Sequence, residues 1–251
     1  MSFKFTAPLA GIIAIVLSAT AMAGDVPANI TAGVDNPARP AAQRERDAVR
    51  HPAELLAFAG VKPGDRVGDF LMGGGYFTRI FSGAVGPTGK VYGYQAAEFI
   101  SFQGDYAKWQ DETVAFAPNI APVRASLAGF AFPEPLDVMF TAQNYHDLHL
   151  GRASPEQIAA INLQIFAALK PGGVLIVVDH YAADGSGDRD SNKLHRIDIA
   201  TVKTELAAAG FVLEGESDVL RNPSDPRTAS VFAPDLRGKT DQFVLKFRKP
   251  A

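Results

Sequence analysis

Apolar and polar positions alternate along most of the chain in short, strand-sized blocks and longer, helix-sized blocks. The block 174–179 is almost continuously apolar, which is typical of a parallel strand covered by helices on both faces. The block before it, 155–169, has the length of a helix and follows Ser154, a favourable cap. The predicted strands are 66–70, 90–94, 122–125, 136–141, 174–179, 211–218 and 241–248. The predicted helices are 41–50, 52–59, 76–85, one within 98–116, 155–169 and 194–209.

Strands that alternate with helices predict an open, mostly parallel sheet with helices on both faces, the doubly wound α/β class. The last two predicted strands have no helix between them, so we expect an antiparallel pairing at the end of the chain. Residues 41–251 contain no internal repeat and no break that would divide them. We therefore predict one seven-stranded domain over 41–251, with short helices before its first strand.

The first 23 residues have the pattern of a secretory signal peptide. Lys4 precedes an apolar run over 7–17, and Ala21-Met22-Ala23 is an Ala-x-Ala cleavage pattern. The run is too short to cross a bilayer, which takes about 20 apolar residues. We expect export to the periplasm, with no stable membrane span. Residues 24–40 are rich in Pro, Gly, Asn and Ala and are expected to form an extended tether.

Composition narrows the possible partners and cofactors. The 251 residues include no cysteine, which excludes disulfides, zinc–thiolate sites, iron–sulfur clusters and a cysteine nucleophile. Lysine and arginine number 24 against 27 acidic residues, a net charge of −3, so no basic face points to nucleic acid. A small molecule is the expected partner, and the composition leaves the oligomeric state open.

Several short motifs occur together along the chain. They are Asp35-Asn36-Pro37-Ala38-Arg39-Pro40, Arg44-Glu45-Arg46-Asp47, His51-Pro52-Ala53-Glu54, Val67-Gly68-Asp69, Gly73-Gly74-Gly75-Tyr76-Phe77-Thr78, Leu169-Lys170-Pro171-Gly172-Gly173 and Gly238-Lys239-Thr240-Asp241-Gln242-Phe243. With these motifs the chain resembles class I S-adenosylmethionine (SAM)-dependent methyltransferases, and more narrowly a group of secreted bacterial predicted methyltransferases. The resemblance covers about residues 36–250. It implies a Rossmann-like seven-stranded sheet with an antiparallel last strand and an N-terminal helical extension. It also implies SAM as cofactor and methyl transfer to a small-molecule acceptor.

A glycine cluster stands between the first predicted strand and the next helix. Glycines allow the backbone to approach a ligand closely, and a helix N-terminus offers amide donors to an anion. In the resembled family this loop holds the amino-acid end of the cofactor, which assigns cofactor binding to Asp69, Gly73, Gly74 and Gly75. Leu71 stands where the family pattern has its first glycine.

The end of the second predicted strand is the place where the resembled family carries an acid for the ribose hydroxyls. Gln95 occupies that position, and its amide can both donate and accept hydrogen bonds. Glu98 lies three residues further on. The resemblance therefore assigns the ribose contact to Gln95 or Glu98. By its position after the fourth strand, Asn144 is also expected to contact the cofactor.

Histidines follow the fourth and fifth predicted strands, where the ligand crevice of an open α/β sheet lies. Imidazole titrates near neutral pH, so His146 is the predicted general base for a methyl acceptor that must lose a proton. His180, Tyr145 and Asn144 are expected to shape the acceptor pocket. No recognised metal-binding motif is present, so the main hypothesis includes no metal.

Two alternatives stay open at this point. One is a secreted, non-catalytic protein that binds a small ligand or a metal on a methyltransferase fold, because fold does not imply function. The other is a metal-dependent hydrolase, since His146 and His149 are three residues apart and Asp147, Asp179 and His180 complete an N/O donor set.

Overall fold

The computed structural model of the protein describes residues 26–251, so the predicted signal peptide lies outside the described residues. Its strands are β1 Arg66–Phe70, β2 Lys90–Ala96, β3 Ile120–Ala125, β4 Leu136–Ala142, β5 Leu169–His180, β6 Val212–Ser217 and β7 Gln242–Arg248. Its α-helices are α1 Ala28–Val34, α2 Ala41–Arg44, α3 Asp47–Arg50, α4 Pro52–Ala59, α5 Tyr76–Val85, α6 Ala97–Phe102, α7 Asp105–Val114, α8 Pro155–Ala168, α9 Ser191–Leu194 and α10 Ile199–Ala208. A short 3₁₀ segment covers His146–Arg152.

The seven strands form a single sheet in the order β3-β2-β1-β4-β5-β7-β6. The pairs from β3 to β5 are parallel, whereas β7 runs antiparallel to both β5 and β6. This confirms the predicted doubly wound, mostly parallel sheet with an antiparallel last strand. The chain order reverses between β1 and β4, and a ligand crevice is expected outside the carboxyl ends of the strands at that reversal.

Helices cover both faces of the sheet, and the strands are apolar on both sides. One core packs the strand residues against Ile158 and Ile165 of α8 and Leu206 of α10. The other packs them against Leu56 of α4 and Ile80 of α5. Burial on both faces explains the continuous apolar run at the centre of β5, where alternation would have left one face in water.

The prediction of an extended tether over 24–40 is wrong where the structure describes it. Residues 28–34 form helix α1, which packs against α5 with Ile30 and Gly33 buried. The Asn29 side-chain amide donates hydrogen bonds to the carbonyls of Val61 and Ala84. Tertiary contacts therefore stabilise a helix whose own sequence shows no helical periodicity, because packing outweighs weak local propensity in a short helix.

The segment between β5 and β6 also differs from the prediction. The helix expected over 194–209 begins only at Ile199, and α9 ends at Leu194, directly before His195 with its φ of +54°. The long loop between β6 and β7 folds back on this segment through a fully buried ion pair between Arg196 and Asp225. Across residues 26–251 we find no helix with the length and apolarity needed to cross a bilayer.

Candidate ligand and catalytic site

Two neighbouring cavities lie at the carboxyl ends of the parallel strands. The first, of about 490 Å³, lies among Phe99, Leu127, Leu148 and Ile161. The second, of about 380 Å³, is lined by side chains that follow β4 and β5 together with aromatic rings. Both include Phe99, Asp147 and Leu150 in their walls. Together they have the size expected of a site for a small molecule and its partner ligand.

The loop after β1 has the backbone conformation of a glycine-rich loop even where a glycine is missing. Leu71 has φ +59°, a left-handed conformation that L-residues rarely adopt, and Gly73 has φ +53°. The Leu71 side chain is buried in the core, which compensates for the strained backbone. Asn144 ties the loop to β4 by donating its amide N–H groups to the carbonyls of Leu71 and Ala142.

Free space lies beside two of the three consecutive glycines. A Cβ atom added to Gly73 or Gly74 would meet no other atom within 4 Å, whereas one added to Gly75 would collide with Thr113. The carbonyl of Gly74 accepts hydrogen bonds from Gln43 and from Arg79, which fixes the loop from behind. Gly75 is therefore required for packing on α7, and Gly73 and Gly74 leave room for a ligand close to the backbone.

Asp69 lies directly behind the loop and is fully buried. Its carboxylate accepts a hydrogen bond from the hydroxyl of Thr78 in α5. Burial raises the pKa of Asp69 to about 6, although Thr78 and the nearby Arg50 oppose that change. Asp69, a predicted cofactor residue, thus holds the start of α5 against β1. Its carboxylate bonds to Thr78 and does not itself border the open space at Gly73 and Gly74.

Gln95 and Glu98, the two predicted ribose contacts, have different surroundings. The Gln95 side chain is completely buried, and neither its amide nitrogen nor its amide oxygen has a hydrogen-bond partner within residues 26–251. Glu98 accepts hydrogen bonds from the Ser126 hydroxyl and the Leu127 N–H at the edge of the first cavity. An unpaired buried amide is costly, so of the two predicted ribose contacts Gln95 is the one whose polar atoms lack partners, although it lines neither cavity.

Arg50, which belongs to none of the sequence motifs, is a cation beside the glycine loop. Its guanidinium lies over the rings of Tyr76 and Phe77, 4.4 and 4.7 Å from their centroids. The negative charge of Asp69 acts to raise the pKa of Arg50. Burial, together with Arg46, lowers the pKa of Arg50 to about 10, so it stays charged at neutral pH. Two acids, Asp69 and Asp47, act on Arg50 through their negative charges. Within the described residues, Asp69 bonds to Thr78 and Asp47 to Arg39.

Tyr145 does not face either cavity, which argues against its expected role at the acceptor. Its hydroxyl donates to Glu205 at 2.8 Å and accepts from the Asn162 amide at 2.9 Å. Burial and the Glu205 carboxylate raise its pKa well above the usual value. Tyr145 is a core residue that joins the loop after β4 to α8 and α10.

His146 is held between two carboxylates. Its Nδ1 lies 2.8 Å from Asp179 Oδ1, its Nε2 lies 3.1 Å from Asp147 Oδ1, and its backbone N–H donates to Asp179 Oδ2. Burial lowers the pKa of His146, but the charges of Asp179 and Asp147 outweigh it and raise that pKa to about 10. An imidazolium cannot accept a proton, so this arrangement argues against the general-base role expected for His146.

His180 and His195 approach His146 from different elements. His180 has a pKa lowered by burial to about 4, and its Nδ1 lies 2.7 Å from the Thr240 hydroxyl, so it is a neutral group in the cavity wall. His195 Nδ1 lies 3.2 Å from His146 Nε2. The sequence offered no signal for this second contact, because the two histidines are 49 positions apart, with α8 and β5 between them.

The donor set of the hydrolase alternative is not assembled. His149 is directed to Asp188 and Glu205, at 3.4 and 3.3 Å, and away from His146. The ring of His180 is centred 6.1 Å from that of His146. The group that does converge is His146, Asp147 and His195.

Comparison with known proteins bears on the fold. No protein-family model matches the sequence. No curated protein matches it at a significant level. Among solved structures, a SAM-dependent methyltransferase from Aquifex aeolicus is similar over 81% of this chain and 98% of its own, with a TM-score of 0.55 and 18% identity.

Two further structures were solved with the cofactor in place. Aeropyrum pernix fibrillarin, with natively bound S-adenosyl-L-methionine, is similar over 80% of this chain and 76% of its own, with a TM-score of 0.51 and 19% identity. The chain has the class I methyltransferase fold. Human N-acetylserotonin methyltransferase in complex with SAM shares this methyltransferase fold over 83% of this chain and 55% of its own, with a TM-score of 0.53 and 15% identity.

Proposed function

We propose that the protein is a SAM-dependent methyltransferase that acts on a small-molecule acceptor. The observation that carries the proposal is the open space at Gly73 and Gly74, in a loop that lies beside the Arg50 cation and that Asn144 of the second cavity joins to β4. SAM carries a carboxylate, an amine, two ribose hydroxyls and an adenine ring, and the surroundings of this loop offer a partner for most of them. Neighbours of the same fold that were solved with SAM support the assignment.

Each part of the cofactor has a candidate partner in the chain. The Arg50 guanidinium would bind the carboxylate, because it is charged and lies beside the glycine loop. The Gln95 amide would both donate to and accept from the ribose hydroxyls, which would satisfy its two unpaired atoms. The apolar cavity at Phe99, Leu127 and Ile161 would hold the adenine ring, with Glu98 at its edge.

The chain's own contribution to the reaction is to position the acceptor. Bound SAM supplies an electrophilic methyl group, and alignment of two reactants can contribute about 7–11 kcal/mol to the rate. Phe102 and Phe232 are exposed at the second cavity, which favours an acceptor with an apolar part. The imidazole of His180 lies in the same wall and can hydrogen-bond the acceptor, whereas both ring nitrogens of His146 already contact carboxylates.

The carboxylate contact can be tested with two arginine variants. Arg50→Met keeps an unbranched apolar stem on Tyr76 and Phe77 but removes the charge. A hydrogen bond to a charged group contributes about 1.5–3 kcal/mol, so SAM affinity measured by calorimetry is expected to fall about 10- to 100-fold. Arg46→Met is the matched control, because it removes the same charge from an exposed position nearby and should bind SAM as the wild type does. Equal affinity in Arg50→Met and the wild type would remove Arg50 from the site.

A binding protein without catalysis is the second candidate. The observation that favours it is that carboxylates contact both ring nitrogens of His146, which leaves the second cavity without the base that the sequence suggested. Tight SAM binding with no transfer to any member of a broad acceptor panel would support this candidate. Transfer to one acceptor would exclude it.

We also propose export to the periplasm, which rests on the pattern of residues 1–23. Cleavage after Ala23 would leave Gly24 as the new N-terminus. Cell fractionation and N-terminal sequencing test this directly. We expect a periplasmic protein that begins at Gly24, and a cytoplasmic protein that keeps residues 1–23 would contradict the proposal.

A further inference from the structure

We propose that His146, Asp147 and His195 form a binding site for a divalent metal ion of the zinc class. The three ligand atoms are His146 Nε2, Asp147 Oδ1 and His195 Nδ1, and they converge on one point at the wall of the second cavity. The inference goes beyond the proposed function, because none of these three side chains is assigned to SAM.

The distances between the ligand atoms have the values that a metal requires. His146 Nε2 lies 3.1 Å from Asp147 Oδ1 and 3.2 Å from His195 Nδ1, and the latter two atoms are 3.7 Å apart. Zinc binds nitrogen and oxygen at about 2.0–2.2 Å, so tetrahedral ligand atoms are separated by about 3.4 Å. An ion therefore fits among the three atoms with only a few tenths of an ångström of adjustment.

A buried carboxylate behind His146 fixes the direction of its ring. Asp179 binds Nδ1 at 2.8 Å and also accepts from the backbone N–H groups of His146 and His180. It is fully buried and cannot turn toward solvent. A histidine that binds a metal usually has such a carboxylate on its other nitrogen, since this contact fixes the tautomer and orients the ring. Here it leaves Nε2 to face Asp147 and His195.

The position of His195 depends on an unusual backbone conformation. Its φ of +54° ends α9 and aims the ring at His146, and the ring packs edge-on against Phe232 at 4.8 Å between centroids. A non-glycine residue in this conformation costs free energy that the surrounding structure must compensate. The strain thus occurs at the residue that completes the three-ligand group.

Three protein ligands leave a coordination position open toward the cavity. Zinc sites with three ligands and one free position bind water or a substrate oxygen, whereas structural sites have four protein ligands. The cavity beside the ion also contains Asn144 and His180, so an acceptor bound there could reach the metal. Elsewhere within residues 26–251, no other three histidine or acidic side chains converge in this way.

Metal titration of the untagged full chain tests the site without any cofactor. The protein is first stripped with a chelator, and Zn²⁺ alone is titrated by calorimetry, with Co²⁺ absorption in the visible range as a second readout. We expect one equivalent of Zn²⁺ to bind at micromolar concentration or below, and Co²⁺ to give the absorption of a four-coordinate site. Binding only at millimolar Zn²⁺, or at well under one equivalent, would overturn the proposal.

Two histidine variants locate the ion. His195→Asn removes a ligand at a partly exposed residue, and asparagine tolerates the left-handed backbone. The affinity for Zn²⁺ should fall by more than about 100-fold, beyond the 10- to 100-fold typical of losing a contact behind a ligand. His51→Asn is the matched control, because His51 has φ +45° after an equally short helix and should leave Zn²⁺ binding unchanged. Unchanged affinity in His195→Asn would overturn the assignment.

A third variant covers the case in which His195→Asn does not fold. Asp147→Asn keeps the size of the side chain but weakens a hard oxygen ligand, so we expect a similar loss of Zn²⁺ affinity and of the Co²⁺ spectrum. SAM titration of the stripped wild-type protein separates this inference from the proposed function. SAM binding without Zn²⁺ binding would reject the metal alone, and Zn²⁺ binding without SAM binding would reject the cofactor alone.

Discussion

Leu71 shows how a single residue can depart from a sequence pattern while the backbone keeps its conformation. Its left-handed φ costs about 1–2 kcal/mol for an L-residue with a Cβ atom. Its side chain is 2% exposed, and burial of a leucine contributes about 1.5–3 kcal/mol. The two terms nearly offset each other, so the loop can keep its shape without its first glycine.

This balance predicts an inverted order of stability for two variants of Leu71. Both Leu71→Ala and Leu71→Gly lose the buried side chain, but only the glycine variant loses the backbone strain. We expect Leu71→Gly to be more stable than Leu71→Ala by about 1 kcal/mol, measured by urea unfolding. Glycine is normally the less stable of the two inside regular structure. The normal order at this position would mean that the left-handed conformation is absent.

Asp69 predicts a specific pH dependence of stability. Its pKa in the folded protein, about 6, lies above the ordinary value of 3.8. The folded state therefore binds this proton more tightly, and the resulting stabilisation is complete below about pH 4 and is lost as the pH rises to about 6. Two pKa units correspond to about 3 kcal/mol.

Asp69→Asn removes this titration while keeping an acceptor for Thr78. Relative to the variant, the wild type should lose up to about 3 kcal/mol of unfolding free energy between pH 4 and pH 6 and no more above pH 7. Urea unfolding across this pH range measures the difference. A difference that does not change with pH would show that Asp69 has an ordinary pKa.

At the level of elements, helix α1 lies on α5 through two glycines in direct contact. A Cβ atom added to Gly83 would lie 2.7 Å from the Cα of Gly33, closer than real Cβ contacts. The two backbones can approach only because both side chains are absent. This contact belongs to the fold, and it extends the folded unit upstream of residue 40.

The contact reverses the usual effect of replacing a helical glycine by alanine. In the last turn of α5, Gly83→Ala would ordinarily stabilise the helix, by up to about 1 kcal/mol. Here we expect a loss of about 1–3 kcal/mol in urea unfolding, because the new methyl group displaces α1. Gly129→Ala is the control, since a Cβ at Gly129 meets nothing within 4 Å and should change stability by less than about 0.5 kcal/mol. Stabilisation by Gly83→Ala would contradict the observed packing.

The elements that sequence reasoning predicted correctly are those whose pattern is local. The apolar run of β5 and the Ser154 cap of α8 can be read without knowing any neighbour, and both are confirmed. Helix α1 could not be predicted, because its stability comes from contacts with α5. The break at His195 was missed for a related reason, since its left-handed residue is a histidine and not the glycine that usually marks a helix end.

For the whole molecule, sheet topology decides which residues can act together. Parallel strands place the residues after β1, β4 and β5 at one edge, so sequence reasoning could bring Gly73, Asn144, His146 and His180 into one region. It could not foresee the carboxylate pair that raises the pKa of His146, or the hydrogen bonds that hold Tyr145 in the core. Arg50 comes from the helices before β1, whose position relative to the sheet no local pattern reveals.

The central claim is that SAM binds at the open face of the glycine loop, and one calorimetric titration tests it most directly. SAM is titrated into the wild type, into Gly74→Ala and into Gly215→Ala. A methyl group at Gly74 enters free space without backbone strain, whereas one at Gly215, in the edge strand β6, makes only an ordinary contact with Phe58. We predict saturable micromolar binding to the wild type and Gly215→Ala, and affinity at least about tenfold weaker for Gly74→Ala, a loss of about 1.4 kcal/mol. Folded wild-type protein that binds no SAM at millimolar concentration, or variants that bind equally well, would contradict the account.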